Sequence, residues 1–305
     1  MPTRSLPIID AHNHPDWQGH DFVRFVANMD QCGIARTWLL CWECPPDEYD
    51  QGCRSPFSAD VLGMESGPIP FARCLAYQER APRRFVLGYA PDPRRPGALD
   101  RMQAAIDLYG VRICGELKLR MMYDNPDALR LLRFCGERKV PVTVHIDYPS
   151  LNNTVGFPRP DYWYGGGIDV LERVLRKCPE TIIIGHAPGF WSHISGDDQY
   201  DKTMYPAGPV LPAGQVPALL RAYPNLYADL SAYSGLNALS RDPAHAKEFL
   251  LEFQDRILYG RDCFDNRLQE FLASLELPKT VLKKIYSGNA SALAPISPQR
   301  DNGKT

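Results

Sequence analysis

The chain has 305 residues, with 34 basic and 36 acidic side chains and a formal net charge of −2. Hydrophobic residues make up 44% of it and charged residues 23%, which supplies a sizeable core and leaves no basic stripe to track nucleic-acid phosphates. No apolar leader begins at Met1 and no run reaches the ~18 apolar residues of a membrane span, so the expectation is a soluble, cytoplasmic protein without nucleic-acid or membrane partners.

Ile8–Ile9–Asp10 is a short apolar entry that leads into His12–Asn13–His14. On a strand, alternate side chains share a face, so the two histidines point the same way. Apolar residues at helical spacing predict a helix over 21–33, ended by Gly33, and 37–41 reads as a buried strand. A long Pro- and Cys-rich loop over 44–70 follows. Next come a helix over 71–81, a strand over 85–89, a helix over 98–109, a strand over 111–119 and a helix over 127–139. The β-branched run 140–146 reads as a strand. A second long loop, 147–167, carries Tyr148, Phe157, Tyr162, Trp163 and Tyr164; three consecutive glycines, 165–167, read as a turn. Then come a helix over 168–178, a strand over 181–185, and a third long loop over 188–214. A helix over 215–223, a strand over 226–230, a helix over 243–253, a strand over 257–259, a helix over 266–275 and a short helix over 279–286 complete the pattern. The polar tail 295–305 reads as disordered.

Eight strand-then-helix units without a break predict one domain over 1–294, an α/β fold closed as a TIM (β/α)₈ barrel with long βα loops. A doubly wound open sheet is the alternative, but the first strand ends in His-Asn-His and not in a Gly-rich phosphate loop. The nine cysteines form no regular framework and read as reduced core thiols, with Cys41-x-x-Cys44 and Cys53 as the one grouping that suits a zinc or redox site.

Barrel enzymes carry their chemistry at the C-terminal ends of the strands. There the chain places His12 and His14, Glu116 and Lys118, His145, His186, Asp229 with Ser231, and Asp262. Four of the seven histidines fall at such ends. Histidines with a carboxylate suit zinc or a similar divalent ion.

At these residues the chain resembles the amidohydrolase superfamily, in its amidohydrolase-2 branch of metal-dependent hydrolases and decarboxylases. The matching motifs are Asp10-Ala-His-Asn-His14, His145, Gly185-His186, Asn225 to Ser231, Tyr259-Gly-Arg-Asp262 and Gly288-Asn-Ala290. The resemblance implies that His12, His14, His145 and Asp262 hold the metal. It implies that His186 is a further ligand or a catalytic side chain. Relatives with two metals often carry a carboxylated lysine on strand four; here Glu116 resembles the bridging glutamate used by others, with Lys118 as the competing choice. Zn²⁺ or another divalent ion such as Mn²⁺ is implied, as one or two ions, and a homo-oligomer is suggested. Arg261 stands where relatives often have a small residue, and either binds a substrate carboxylate or pairs with a neighbouring acid.

The leading expectation is hydrolysis of a small-molecule ester, lactone or amide by cation-activated water, with Asp262 as general base and His186 assisting. The rivals are non-oxidative decarboxylation of an aromatic or unsaturated acid, and a barrel kept as a binding scaffold. Lys118 and Arg120 are candidates to hold an acid group, and Trp191, with Trp163 and Tyr148, to face a ring in the substrate.

Overall fold

The computed structural model describes residues 6–45, 48, 69–147 and 163–295. Cys53, Tyr148, Phe157 and Tyr162, most of the first two long loops and the tail beyond Pro295 lie outside the described residues.

Eight strands alternate with helices: β1 Ile8–Asn13, β2 Ile34–Leu39, β3 Phe85–Leu87, β4 Cys114–Leu117, β5 Val142–His145, β6 Ile183–His186, β7 Leu226–Asp229 and β8 Ile257–Leu258. Consecutive strands pair in parallel as β1-β2-β3 and β4-β5-β6-β7-β8. Backbone hydrogen bonds join the two sheets at both edges. A parallel bridge links Gly88 to Ile113 between β3 and β4. On the other side Ala11 N donates to Tyr259 O at 2.9 Å and Asp262 N to His12 O at 2.8 Å. The strands therefore close into the expected barrel.

Among the described residues the helices of eight residues or more are α1 Phe22–Gln31, α2 Phe71–Arg80, α3 Ala98–Tyr109, α4 Pro126–Glu137, α5 Ile168–Lys177, α6 Gln215–Ala222, α7 Ala232–Ser240, α8 Pro243–Glu252 and α9 Arg267–Ser274, with short ones at Lys279–Lys283 and Asn289–Leu293. Their starts follow local rules. The Asp21 side chain accepts from Arg24 N ahead of α1, with Gly33 at φ +69° just beyond its end. Asn125 and Asp242 cap α4 and α8, each followed by proline in the first turn. Each helix turns an apolar stripe to the barrel; α5 buries Ile168, Val170, Leu171, Val174 and Leu175. A second cluster, Ile9, Ala11, Trp38, Leu40, Val86, Ile113, Ile184 and Leu258, draws on five strands and the residue before β4, and is closed by Ala290 and Ala294. It fills the barrel interior beneath the strand ends.

Two expectations on the chain path change. The third long loop opens with a helical turn, Pro188–Trp191, and shorter turns follow at Ser192–Ile194 and Gln199–Asp201. Residues 232–240 form α7, which the sequence hides behind Ser and Gly. Gly235 is there for space: a Cβ at that position would lie 2.5 Å from Leu230 O. Tertiary packing of the helix under the end of β7 overrides its weak propensity.

Among the described residues, no helix is long and apolar enough to cross a membrane. Every described cysteine is a free thiol. No candidate metal group among the described residues contains a cysteine, so Cys41 and Cys44 are not brought together with other ligands there.

Candidate metal centre

The C-terminal ends of β1, β4, β5, β6 and β7 deliver His12, Glu116, His145, His186 and Asp229 into one buried chamber, each no more than 6% exposed. Parallel pairing sets His145 directly beside His186. His14 follows β1 and is 1% exposed. Asp262 comes four residues after the two-residue β8, at φ +49°, a left-handed conformation that aspartate tolerates better than most residues. Its backbone is held by His12 O on one side and by Trp17 Nε1, which donates to Asp262 O at 3.0 Å.

Glu116 stands at the centre. Its Oε2 lies 3.7 Å from His12 Nε2 and 3.6 Å from His14 Nε2. Its Oε1 lies 2.5 Å from His145 Nδ1 and 3.6 Å from His186 Nε2. One oxygen thus faces each histidine pair. Asp262 Oδ1 is 3.5 Å from His14 Nε2, on the strand-one side. Three ligand groups follow from this arrangement: His12–His14–Glu116, His12–His186–Asp262 and Glu116–His145–His186.

Outer contacts decide which ring nitrogens face inward. His14 Nδ1 donates to Leu40 O at 2.8 Å, which turns the Nε2 lone pair to the chamber. Asp229 does the same for two rings at once: Oδ2 is 2.9 Å from His12 Nδ1 and Oδ1 is 3.0 Å from His186 Nδ1. Ser231 adds a backbone N–H at 3.0 Å and a hydroxyl at 2.5 Å to Oδ1. Burial opposes charge on Asp229, yet His186 and His12 hold it well below the usual carboxylate range, so it accepts from both imidazoles.

The other groups divide by sign. Burial pushes His14 down to about 3 and lowers His186, leaving neutral imidazoles. Burial also opposes charge on His12, but Asp229 and Glu116 outweigh it and raise its proton affinity. Glu116 is held far below its ordinary value against burial by His145 and His12. Asp262 is pushed up to about 7, by burial first and by Glu116 and Asp229 after it, with His12 and Lys118 opposing.

Residues of this kind fit a divalent cation. His12 Nε2 and Asp262 Oδ1 are buried and without a hydrogen-bond partner, an arrangement that costs about 1–3 kcal/mol per group unless something fills it. The nitrogen and oxygen donors suit zinc or manganese. His145 differs from the implied ligand set: Glu116 Oε1 faces its Nδ1 and Asp147 Oδ2 its Nε2, the latter at 2.9 Å. To ligate, it must release one of these carboxylates.

Two substrate candidates, Arg261 and Trp191, are held by partners of their own. Arg261 is 2% exposed and donates through Nε to Asp10 Oδ2 at 2.9 Å and through Nη1 to Asn28 Oδ1 at 2.8 Å. Of its two expected roles, it takes the pairing with a neighbouring acid. Trp191 is 1% exposed, packs edge-on against Phe190, and donates to Asp229 O at 2.9 Å. It buttresses the end of β7, folded inward by the helical turn Pro188–Trp191. Arg120 is half-buried, and its backbone N–H donates to Glu48 Oε2 at 3.1 Å. Lys118 remains at the chamber, 8% exposed, its Nζ 5.6 Å from the Trp42 ring centre and 5.1 Å from that of Tyr164.

Sequence reasoning gave Asp229 only a strand-end position and missed Asp147. The signal for Asp147 was present: His145-x-Asp147 repeats the i, i+2 spacing of His12-x-His14. Tyr205, from the third loop, was also missed. Its ring packs on Tyr233 at 5.1 Å, and 41% of its surface stays exposed. No local pattern announces it.

Comparison with known proteins bears on the family and the fold. A family model described as amidohydrolase matches residues 71–295. A sequence comparison with curated proteins returns no match. Among solved structures, a TIM-barrel protein from Bordetella bronchiseptica is similar, at 18% identity and a TM-score of 0.63, covering 94% of this chain and 98% of that one. The 5-carboxyvanillate decarboxylase of Sphingomonas paucimobilis shares 13% identity with a TM-score of 0.60, covering 96% and 100%. A probable 2-pyrone-4,6-dicarboxylic acid hydrolase from Acinetobacter baumannii, with citric acid bound, shares 12% identity with a TM-score of 0.56, covering 94% and 98%.

Proposed function

The chain belongs to the amidohydrolase family, in its amidohydrolase-2 branch, and from that premise we propose that it is a metal-dependent hydrolase of a small-molecule ester, lactone or amide. The observation that carries this reading is the division of Glu116: Oε2 serves His12 and His14, Oε1 serves His145 and His186. A carboxylate so divided suits two cations better than one, and the two-cation arrangement suits hydrolysis. His12, His14, Glu116 and Asp262 would hold one ion, and Glu116, His145 and His186 a second, zinc or manganese by donor chemistry. When bound, such ions acidify water and polarise a carbonyl.

This chain's own residues do the rest. Asp262, whose Oδ1 is buried at the chamber without a hydrogen-bond partner of its own, would take the proton of the attacking water and return it to the leaving group. His186 is held by Asp229 with its Nε2 lone pair turned inward, in position to help hold the second cation. Buried walls around the chamber keep bulk water from screening these charges.

A second reading, decarboxylation, has support from the likeness to the Sphingomonas decarboxylase. It would use one cation, with His186 free to carry a proton. The test is metal content per chain together with assays of ester, lactone and amide panels and of carbon dioxide release from aromatic acids. Two ions with hydrolysis lost in Asp262→Asn is the expected result. Carbon dioxide release by a one-ion protein that hydrolyses nothing would replace this reading with the second.

A further inference from the structure

We propose that Asp147 is the positioning residue for His145: it holds the Nε2–H of that ring, so that His145 presents Nδ1 to the metal. The inference rests on the two-cation reading above, in which His145 helps to hold the second ion.

Three of the four chamber histidines are oriented alike. His12 and His186 turn Nδ1 to Asp229, at 2.9 and 3.0 Å, and His14 turns Nδ1 to Leu40 O at 2.8 Å. Each thereby presents Nε2 to the chamber. His145 is reversed. Its Nε2 lies 2.9 Å from Asp147 Oδ2, and its Nδ1 faces Glu116 Oε1 at 2.5 Å. The same Oε1 lies 3.6 Å from His186 Nε2, so Nδ1 is the nitrogen turned towards the Glu116–His145–His186 group. The reversal comes from the chain path. His145 is the last residue of β5, and its outer acceptor follows two residues later on the same chain.

The ring cannot keep both carboxylates once it ligates. Glu116 belongs to the ligand group, so a cation takes over its contact with Nδ1. Asp147 belongs to no candidate ligand group among the described residues, and its place is fixed. It is 1% exposed, its Oδ1 accepts from Gly189 N at 3.1 Å, and its backbone pairs with that of Tyr164 in both directions, at 3.0 and 2.6 Å. Gly189 permits this approach: a Cβ there would lie 2.5 Å from Ile146 O and 2.9 Å from Asp147 Cα. One oxygen of Asp147 therefore holds the start of the loop after β6, and the other is left for His145. An acceptor on the outer nitrogen of a ligating histidine fixes its tautomer and its ring orientation. A residue that only tied the loop down would need Oδ1 and leave the ring free.

The experiment uses the full chain loaded with zinc and grown with isotope-labelled histidine. Two-bond proton–nitrogen correlation spectra show which nitrogen of each ring carries the proton and which the metal; a His145→Asn spectrum identifies the His145 signals by subtraction. In wild type, His12, His14 and His186 should carry the proton on Nδ1, and His145 on Nε2. Asparagine at position 147 has one accepting oxygen. Turned to Gly189, it aims an N–H at His145 Nε2 and demands the opposite tautomer; turned to His145, it sets an N–H against that of Gly189. In Asp147→Asn the Nε2–H signal of His145 should vanish and affinity for the second zinc should fall about 10- to 100-fold, read by competition with a chelator, with the first zinc changed by less than about threefold. Asp147→Ala takes its place, with the same expectation, if that variant fails to fold. Binding of His145 through Nε2 in wild type, a His145 left unbound in the loaded protein, or an unchanged His145 signal or zinc affinity in the variant would overturn the proposal. The two-cation reading fails separately: one zinc per wild-type chain, held by His145 through Nδ1 and weakened in Asp147→Asn, would leave Asp147 in its role and remove the second ion.

Discussion

His12 Nδ1 lies 2.9 Å from Asp229 Oδ2, across 217 residues of sequence. Through this contact β7 sets the tautomer of a β1 histidine. The other oxygen of Asp229 does the same for His186 at 3.0 Å. One carboxylate thus orients two candidate ligands.

Replacing Asp229 with Asn should separate these roles. An amide has one accepting atom, so one histidine loses its acceptor and faces an N–H instead. Metal affinity should fall about 10- to 100-fold, the usual effect of removing a ligand's outer partner. Competition with a chromogenic chelator measures it. Unchanged affinity in a folded Asp229→Asn variant would show that the tautomers are set by something else.

Metal binding should weaken in acid. A cation needs Asp262 ionised, and that carboxyl is pushed up to about 7 in the metal-free chamber. Below that pH a proton competes at this group, with up to about a tenfold loss of affinity per pH unit for each proton displaced. The same shift affects stability with the opposite sense. Because the folded value lies above the unfolded one, folded metal-free protein binds the extra proton between about pH 4 and pH 7. This contribution is fully present below the unfolded value and is lost as pH rises through the folded one. Chelated protein should therefore lose this stabilisation across that window, and Asp262→Asn should not. Chemical denaturation at a series of pH values, wild type against variant, reads the difference.

Chelation itself should destabilise the fold. It leaves His12 Nε2 and Asp262 Oδ1 buried without partners. At a cation concentration 100 times its dissociation constant the linkage amounts to about 2.7 kcal/mol. For a chain of this size that corresponds to roughly 4 °C in melting temperature. Thermal scans before chelation, after it, and after zinc or manganese is restored should show a reversible shift. A melting temperature indifferent to chelation would argue against a resident cation.

Arg261→Ala should act on folding and not on substrate. It removes the charge partner of Asp10, which is fully buried and paired with Arg261 Nε at 2.9 Å, and leaves it only neutral donors. Breaking a buried pair from one side costs about 3–5 kcal/mol. Denaturant titration should find that loss. A rise in KM at unchanged stability would instead return Arg261 to the substrate role.

His12, His14, His145, His186 and Asp262 were readable from sequence because each closes a short apolar run whose period marks a strand end. The helices were readable for the same reason, their apolar spacing and caps lying within a few residues of one another. α7 was not, since its Gly235 answers to Leu230 packed against it and not to helix propensity. Arg261 offered two equal roles until closure of the barrel brought it to Asp10, 251 residues away. Trp191 looked like a substrate platform until its loop folded it behind β7.

By itself, then, the sequence determined which residues stand at the mouth of the barrel, because strand periodicity is local. Only the tertiary structure decided how they are shared: Glu116 between two histidine pairs, Asp229 between two rings, Lys118 between two aromatic faces. Each of those relations joins strands far apart in the chain, and none exists until the ring of strands closes.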